Sequence, residues 1–173
     1  MTHIIAAFPC LGKTTLYSLN KDTVFDREFN ESRSVREMDV ESTKRFFDSC
    51  AEIVNLQVKT GHYDYIFITE DERLVSRLSL TLKNQLTLVF PNVFDRAVMA
   101  EYKELVIERS GIEWYNRVMP TKLASLKERI QKYQAAGYDC RLTDLEHPYI
   151  EDVFEFSDSV KLSPKKKLVG GDE

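Results

Sequence analysis

Residues 3–15 read HIIAAFPCLGKTT, and this stretch decides the fold. Its first part, HIIAAF at 3–8, is a continuous apolar run, typical of a strand that is buried on both faces of a parallel sheet. The turn PCLG follows, and KTTLYSLN at 13–20 predicts a helix. Strand, loop and helix in this order begin a βαβ unit, so an α/β fold is expected.

The composition predicts one domain and leaves nucleic acid a possible but disfavoured partner. The chain has 173 residues, of which 43% are hydrophobic, so it can bury one sizeable core. Lysine and arginine number 24 against 28 aspartate and glutamate, for a formal charge of −4. Proteins that coat nucleic acid carry a broad positive field, so nucleic acid is a disfavoured partner here.

The cysteines and the apolar segments indicate a cytoplasmic protein with no membrane partner. Cys10, Cys50 and Cys140 are odd in number and form no C-x-x-C pair, which predicts free thiols in a reducing compartment. The apolar run at 4–8 is too short for the core of a signal peptide, and no basic segment precedes it. No stretch approaches the roughly 18 apolar residues of a membrane span.

Predicted strands and helices alternate along the remaining chain. Further strands are predicted at 23–25, 63–69, 86–91 and 139–145. Helices are predicted at 40–59, 71–84, 95–109 and 121–136, and a short closing helix is predicted in 147–156. Pro120 is expected to separate the helix at 121–136 from residues 113–119.

This alternation predicts a three-layer α/β fold, in which helices cover both faces of a mostly parallel sheet of about five strands. Residues 1–156 are expected to form the domain, with a helical, lid-like region at about 95–136 and a mobile tail at 157–173. Ligands of such sheets bind at the carboxyl ends of the strands, which is where the loop after the first strand lies.

The loop after the first strand matches a phosphate-binding pattern. From Ala7 to Thr14 the sequence AFPCLGKT fits A-x-x-x-x-G-K-T, with alanine in the place of the first glycine. In such a loop, successive main-chain N–H groups surround a phosphate, and the helix that follows directs its positive end at the same anion. The alternative is a strand-to-helix turn that contains Gly-Lys-Thr by chance. The position between a strand and a helix favours phosphate binding.

The loop residues have expected roles in binding ATP and Mg²⁺. Gly12 allows close approach of the backbone, and the catalytic Lys13 reaches the β- and γ-phosphates. Thr14 gives its hydroxyl to magnesium, and Thr15 contacts the α-phosphate. The residues expected to bind the nucleotide are Ala7, Phe8, Pro9, Cys10, Leu11, Gly12, Lys13, Thr14 and Thr15.

Four segments carry a resemblance to a known family: IIAAFPCLGKTT (4–15), VFDREFNESRS (24–34), YDYIFIT (63–69) and LTLVFP (86–91). In this order and at this spacing they resemble the P-loop kinases, and among them the small nucleoside-monophosphate-kinase-like P-loop proteins of bacteriophages. The segment AEYKELVIERSG (100–111) is similar to a helical segment that those proteins place after the fourth strand. The resemblance covers about residues 3–155 and implies the P-loop NTPase fold. Its specific part is the phosphate loop.

Charged residues after the second strand are candidates for the phosphoryl-acceptor site. Asp26 lies where many P-loop kinases keep an aspartate that accepts the proton of the acceptor hydroxyl or orders magnesium, so it is the expected catalytic carboxylate. Glu28 is close enough in the chain to share this work. Arg27 and Arg33 are expected to bind the anionic group of the acceptor. The alternative is a solvated, charged loop.

An apolar strand that ends in acids, IFITED at 66–71, offers a second carboxylate. This is the form of a Walker B segment, whose carboxylate orders magnesium through water. For Asp71, capping of the helix that follows is the favoured interpretation. The role of Glu70 stays open.

Arginines of the helical region are the third group of candidates, because kinases close arginines over the transferring phosphoryl group. Arg96, Arg109 and Arg117 lie in this region. Arg109 is the preferred catalytic arginine, since it precedes Ser110 and Gly111, a hinge or helix end, and matches an E-R of the resembling proteins. The alternative is a solvated arginine paired with a glutamate of its own helix.

Taken together, these residues predict an ATP-dependent phosphotransferase, a kinase that acts on a nucleotide or nucleoside phosphate as the small acceptor. Two alternatives stay open. One is a P-loop ATPase or nucleotide-dependent switch without a small-molecule acceptor. The other is a polynucleotide 5′-hydroxyl kinase, which the negative net charge disfavours mildly.

Overall fold

A central strand with two neighbours on each side organises the sheet. The computed structural model describes residues 1–26 and 38–163. Within these residues the strands are β1 His3–Ala7, β2 Val24–Asp26, β3 Tyr65–Thr69, β4 Leu86–Pro91 and β5 Asp139–Thr143. All pair in parallel, in the order β2-β3-β1-β4-β5. The predicted α/β fold with a parallel sheet of about five strands is confirmed.

Helices connect the strands in the described part of the chain. They are α1 Lys13–Leu19, α2 Val40–Thr60, α3 Glu72–Leu82, α4 Arg96–Ser110, α5 Ile112–Ala124, α6 Leu126–Ala135 and α7 Ile150–Val153, with a 3₁₀ turn at Lys83–Gln85. The N-cap residues of α2, α3 and α4 are Asp39, Asp71 and Asp95. Each side chain accepts a hydrogen bond from a main-chain N–H of the first turn of its helix. For Asp71 this is the capping role that the sequence favours.

The central position of β1 explains its continuous apolar sequence. Residues 4–7 are 0% exposed, since layers of side chains cover the sheet on both faces. On one face, Phe156 packs against Phe67 with ring centroids 6.0 Å apart. On the other, Tyr133 of α6 stacks on Phe90 at 6.0 Å.

The strand order creates a crevice at the carboxyl edge of the sheet. The connection from β1 runs towards β2, whereas the connection from the adjacent β4 runs the opposite way towards β5. Right-handed crossovers therefore place α1 on the opposite face from the helices that follow β2, β3 and β4. Ligands of open α/β sheets bind where neighbouring connections diverge in this way. Here that position lies between the loop after β1 and the start of α4.

The helical region differs from the prediction at Pro120. Pro120 lies inside α5. The interruption of the helical region comes instead at Ser125, between the end of α5 and the start of α6. A proline in a helix interior costs about 3 kcal/mol, which is why it predicts a helix end. Met119 beside it is 0% exposed, and burying such a side chain contributes about 1.5–3 kcal/mol. Tertiary burial thus offsets the local preference.

Residues 157–163, the first part of the predicted tail, pack against the domain. The main-chain N–H of Ser157 donates to the Tyr65 hydroxyl at 2.9 Å. The N–H of Lys161 donates to Asn20 Oδ1 at 2.7 Å, and Val160 is 6% exposed. Residues 164–173 of the predicted tail lie outside the described residues. None of the described helices combines the length and the apolar character that crossing a membrane requires.

A polar network crosses the sheet at the edge opposite the loop. Thr87, 0% exposed, donates its single hydroxyl proton to Asp139 Oδ2 at 2.9 Å. The 2.7 Å contact between His3 Nε2 and Thr87 Oγ1 must then be a bond donated by the imidazole. Burial lowers the pKa of His3 from its ordinary value, with the Asp139 carboxylate acting in the opposite direction and Arg141 adding to the decrease.

Replacing His3 by glutamine should reduce the loss of stability in mild acid. Because the pKa of His3 is lower in the folded chain, the unfolded chain binds more protons, and the free energy of unfolding falls as the pH drops below about 6.5. Urea unfolding at about pH 7 and about pH 5.5 should show a smaller decrease for His3→Gln than for the wild type. The exposed His62→Gln is the control. Equal decreases in all three proteins would contradict the role of His3.

Candidate functional site

The loop from Phe8 to Gly12 leaves the central strand at the crevice and is tied on two sides. The N–H of Phe8 donates to the Val89 carbonyl of β4 at 2.9 Å. The N–H of Ile150, the first residue of α7, donates to the Leu11 carbonyl at 3.0 Å. Phe8 and Leu11 are each 1% exposed. The loop is therefore part of the packed structure.

Two residues of the loop have left-handed backbone conformations. Gly12 has φ 99° and Cys10 has φ 66°, the latter unique among the non-glycine residues that the structure describes. A side chain in this conformation costs of order 1–3 kcal/mol and persists only where the surroundings enforce it. Left-handed residues next to helical ones turn successive N–H groups towards one side, which forms an anion-binding concavity.

The main-chain donors of this loop fit an anion. Across residues 1–26 and 38–163, no acceptor receives the N–H groups of Cys10, Gly12, Thr14 and Thr15. Buried main-chain N–H groups are nearly always paired in folded proteins. Four donors in six consecutive residues are the chemistry that a phosphate group satisfies.

Lys13 adds a positive charge to these donors. Its side chain folds back along the loop, and Nζ donates to the Ala7 carbonyl, the last of β1, at 3.0 Å. The residue is 8% exposed, whereas most lysines project into solvent. A buried ammonium is costly unless oxygen atoms surround it, so this position suits a lysine that meets phosphate oxygens.

The predicted catalytic arginine reaches the loop from α4. Arg109 Nη2 donates to the hydroxyl of the exposed Thr14 at 3.2 Å. The guanidinium also lies beside the Cys10 thiol. Burial raises the pKa of Cys10, although the charges of Arg109 and Lys13 oppose this effect. The structure thus brings together Arg109, Lys13 and Thr14, three residues that the sequence analysis singled out.

Sequence reasoning missed Tyr102, which also joins α4 to the loop. Its hydroxyl donates to the Pro9 carbonyl at 2.7 Å, and the residue is 5% exposed. Tyr102 and Arg109 are seven residues apart, so they share one face of α4. This spacing from the arginine is the signal that could have identified the tyrosine.

The acceptor-site candidates are described only in part. Asp26 is the last residue of β2, at the same edge of the sheet as the loop. One strand, β3, lies between β2 and β1, which separates Asp26 from the central strand by about 10 Å. Arg27, Glu28 and Arg33 lie outside the described residues. Among the described residues, no hydrogen bond or ion pair joins Arg96 or Arg117 to the loop, whereas Arg109 and Tyr102 both bond to it.

Glu70 anchors a helix. Its carboxylate, 0% exposed, accepts two bonds from Arg129 of α6, from Nε at 2.9 Å and from Nη2 at 3.0 Å. The Tyr133 hydroxyl donates a third bond at 2.9 Å. Burial alone would lower the pKa of the Arg129 guanidinium. The hydrogen bonds and the negative charge of Glu70 outweigh this effect and raise the pKa. This cluster engages Glu70 with α6, which disfavours the magnesium-ordering role left open above.

The carboxylate of Asp71 also has partners, and they lie in the helix that follows it. Besides capping α3, it pairs with Arg73 at 2.8 Å. The described residues contain no group of three or more His, Cys, Asp or Glu side chains able to hold a metal ion.

Comparisons of the chain with family models, with curated proteins and with solved structures found no match. The resemblance to P-loop kinases thus stays a proposal, supported by the motif residues and the geometry of the loop.

Removal of the Glu70 carboxylate should destabilise the fold. Glu70→Ala leaves the half-buried Arg129 guanidinium without its acceptor, and we expect the free energy of unfolding to fall by about 3–5 kcal/mol in urea titrations. Asp48→Ala, which removes the partner of Arg77 in an exposed ion pair, is the matched control and should cost less than about 1 kcal/mol. Unchanged stability with lost magnesium-dependent turnover would instead make Glu70 a magnesium-ordering acid.

Proposed function

We propose that the protein is an ATP-dependent phosphotransferase that acts on a nucleotide or nucleoside phosphate. The observation that carries the proposal is the loop after β1, in which four main-chain N–H groups lack an acceptor among the described residues beside a buried lysine. Donors in this arrangement bind a polyphosphate. The strand–loop–helix context is the one in which the A-x-x-x-x-G-K-T pattern acts.

The loop residues hold the polyphosphate by main-chain donors and one charge. The N–H groups of the loop surround the phosphate oxygens, and Lys13 neutralises the negative charge that develops during transfer. ATP would supply the phosphoryl group, and a magnesium ion bound with it would add positive charge beside the phosphate oxygens. The Thr14 hydroxyl, which accepts a bond from Arg109 in this structure, would be the ligand that this chain gives to that magnesium ion.

Two further residues complete the proposed chemistry. Asp26, at the same edge of the sheet, accepts the proton of the acceptor hydroxyl or orders the magnesium shell. Arg109 extends from the last turn of α4 to the loop, where it stabilises charge on the transferring oxygens. Arg27 and Arg33, which follow β2 in the chain, are proposed to bind the anionic group of the acceptor.

A nucleotide-dependent switch is the second candidate, and the contacts of α4 favour it. Tyr102 and Arg109 both bond to the loop, so a ligand there would be sensed directly by the helical region. A switch of this kind hydrolyses or exchanges nucleotide without a small-molecule acceptor, and this distinguishes it from a kinase.

The experiment that tests the proposal is a screen of acceptors with ATP and Mg²⁺. Nucleoside monophosphates, nucleosides and 5′-hydroxyl oligonucleotides are incubated separately with the protein, and the phosphorylated products are separated and quantified. Transfer to a monophosphate or nucleoside is expected. Transfer to oligonucleotides alone would make the protein a polynucleotide kinase, and ATP consumption without any product would favour the switch.

Replacing Lys13 by alanine should weaken ATP binding by about 100-fold. The lost interaction is a desolvated ammonium–phosphate contact, for which about 2–5 kcal/mol is typical. Isothermal titration calorimetry measures the dissociation constant. Lys21→Ala, which removes an exposed lysine just beyond α1, is the matched control and should bind ATP as the wild type does. Equal affinity of Lys13→Ala and wild type would remove the loop from the mechanism.

Replacing Asp26 by asparagine should separate binding from transfer. If the carboxylate accepts the proton of the acceptor, Asp26→Asn keeps the dissociation constant for ATP and lowers the transfer rate by about 10²–10⁴-fold. The exposed Asp22→Asn, two residues before β2, serves as the control. A loss of ATP binding as large as the loss of rate would assign Asp26 to holding magnesium or to stabilising the fold.

A further inference from the structure

The direction of each main-chain N–H in the phosphate loop depends on what holds the preceding carbonyl. A trans peptide is planar, and its C=O and N–H point in opposite directions. The described residues contain no cis peptide bond. A group that fixes the carbonyl of one residue from outside the loop therefore aims the N–H of the next residue towards the opposite side.

Two such groups act on this loop from opposite sides. The Tyr102 hydroxyl of α4 donates to the Pro9 carbonyl at 2.7 Å, so it aims the N–H of Cys10. The N–H of Ile150 donates to the Leu11 carbonyl at 3.0 Å, so it aims the N–H of Gly12. Both aimed N–H groups are among those without an acceptor in the described part of the chain.

The Tyr102 contact also falls at the strained point of the loop. The peptide it holds joins Pro9 to Cys10, the non-glycine residue with φ 66°. Proline has a fixed φ and no N–H, so the Pro9 carbonyl is the main-chain hydrogen-bonding group through which this residue can be held. A left-handed cysteine relaxes unless such a contact maintains it.

The surroundings of Tyr102 maintain its hydrogen bond to the Pro9 carbonyl. Its ring packs against Phe8 with centroids 6.0 Å apart, and the residue is 5% exposed. Burial raises the pKa of Tyr102 well above its ordinary value, with the nearby Cys10 adding to the increase. The hydroxyl therefore keeps its proton and remains a donor across the working pH range.

We propose that Tyr102 is a positioning residue, which holds the Pro9–Cys10 peptide so that the phosphate loop presents its N–H groups to a polyphosphate. The assignment of the ligand rests on the proposed function. The effect on the shape of the loop does not, and it can be measured without nucleotide.

The first test uses the Cys10 thiol as a reporter of loop shape. Tyr102→Phe keeps the packed ring and removes the donor, so Cys10 should leave its strained conformation and react faster with iodoacetamide, by about 5-fold or more, given a bond of ordinary strength. Mass spectrometry of the peptides measures this rate against that of Cys140 in the same molecule. Tyr65→Phe is the matched control, because Tyr65 is also buried and its hydroxyl bonds to one main-chain group, the N–H of Ser157.

The second test measures ATP binding by calorimetry in the same proteins. Tyr102→Phe should weaken binding about 5- to 10-fold, and Tyr65→Phe should leave it unchanged, although both variants lose one hydrogen bond. The pair thus separates a change of site geometry from a general loss of stability, which urea unfolding records for each.

Glycine at position 10 provides a rescue. Cys10→Gly removes the cost of the left-handed conformation, so the loop should need the tyrosine less. In the Cys10→Gly background, Tyr102→Phe should therefore weaken ATP binding by less than about 2-fold, and the two substitutions should be non-additive in a double-mutant cycle.

The outcomes decide the two proposals separately. An unchanged alkylation rate of Cys10 in Tyr102→Phe, or equal losses of ATP affinity in Tyr102→Phe and Tyr65→Phe, would overturn the positioning role. Failure of the wild type to bind ATP would overturn the proposed function. In that case the alkylation rates still determine whether Tyr102 holds the loop.

Discussion

The chain must turn from a buried central strand into a helix within the five residues 8–12, and the site depends on how it does so. The carbonyl of Ala7, the last residue of β1, accepts the N–H of Glu70 at 3.1 Å and the Lys13 ammonium at 3.0 Å. This oxygen therefore ties the central strand, the end of β3 and the start of α1 together. The left-handed residues Cys10 and Gly12 follow from the same short turn.

Three elements far apart in sequence support this turn. Helix α4 reaches it through Tyr102 and Arg109, and α7 reaches it through Ile150. Helix α6 is fixed at the neighbouring strand end by the pair of Glu70 and Arg129. The proposed phosphate site is thus surrounded by contacts from the second half of the chain, and its shape is a property of the whole fold.

Much of this arrangement could be predicted from local sequence, and the reasons are physical. A central strand must be apolar throughout, and an aspartate just before a helix caps that helix. The strand β1 and the role of Asp71 could therefore be predicted from the sequence. The break at Ser125 and the packing of residues 157–163 depend on tertiary contacts, and no local pattern encodes them. The spacing from Arg109 places Tyr102 on the same face of α4, but only the folded structure shows that its hydroxyl bonds to Pro9. Glu70 shows the same limit, since an acid after a strand has the same appearance in sequence whether it meets a metal or an arginine.

The junctions at the two ends of α5 divide the helical region mechanically. Through Glu70, Arg129 fastens α6 to the sheet, and its Nη1 also donates to the Ser125 hydroxyl at 3.1 Å. At the other end of α5, Gly111 has φ 88° and open space around the position of an added Cβ. Consequently the junction of α5 and α6 is held to the sheet through Arg129, whereas among the described residues nothing packs against the junction of α4 and α5 at Gly111.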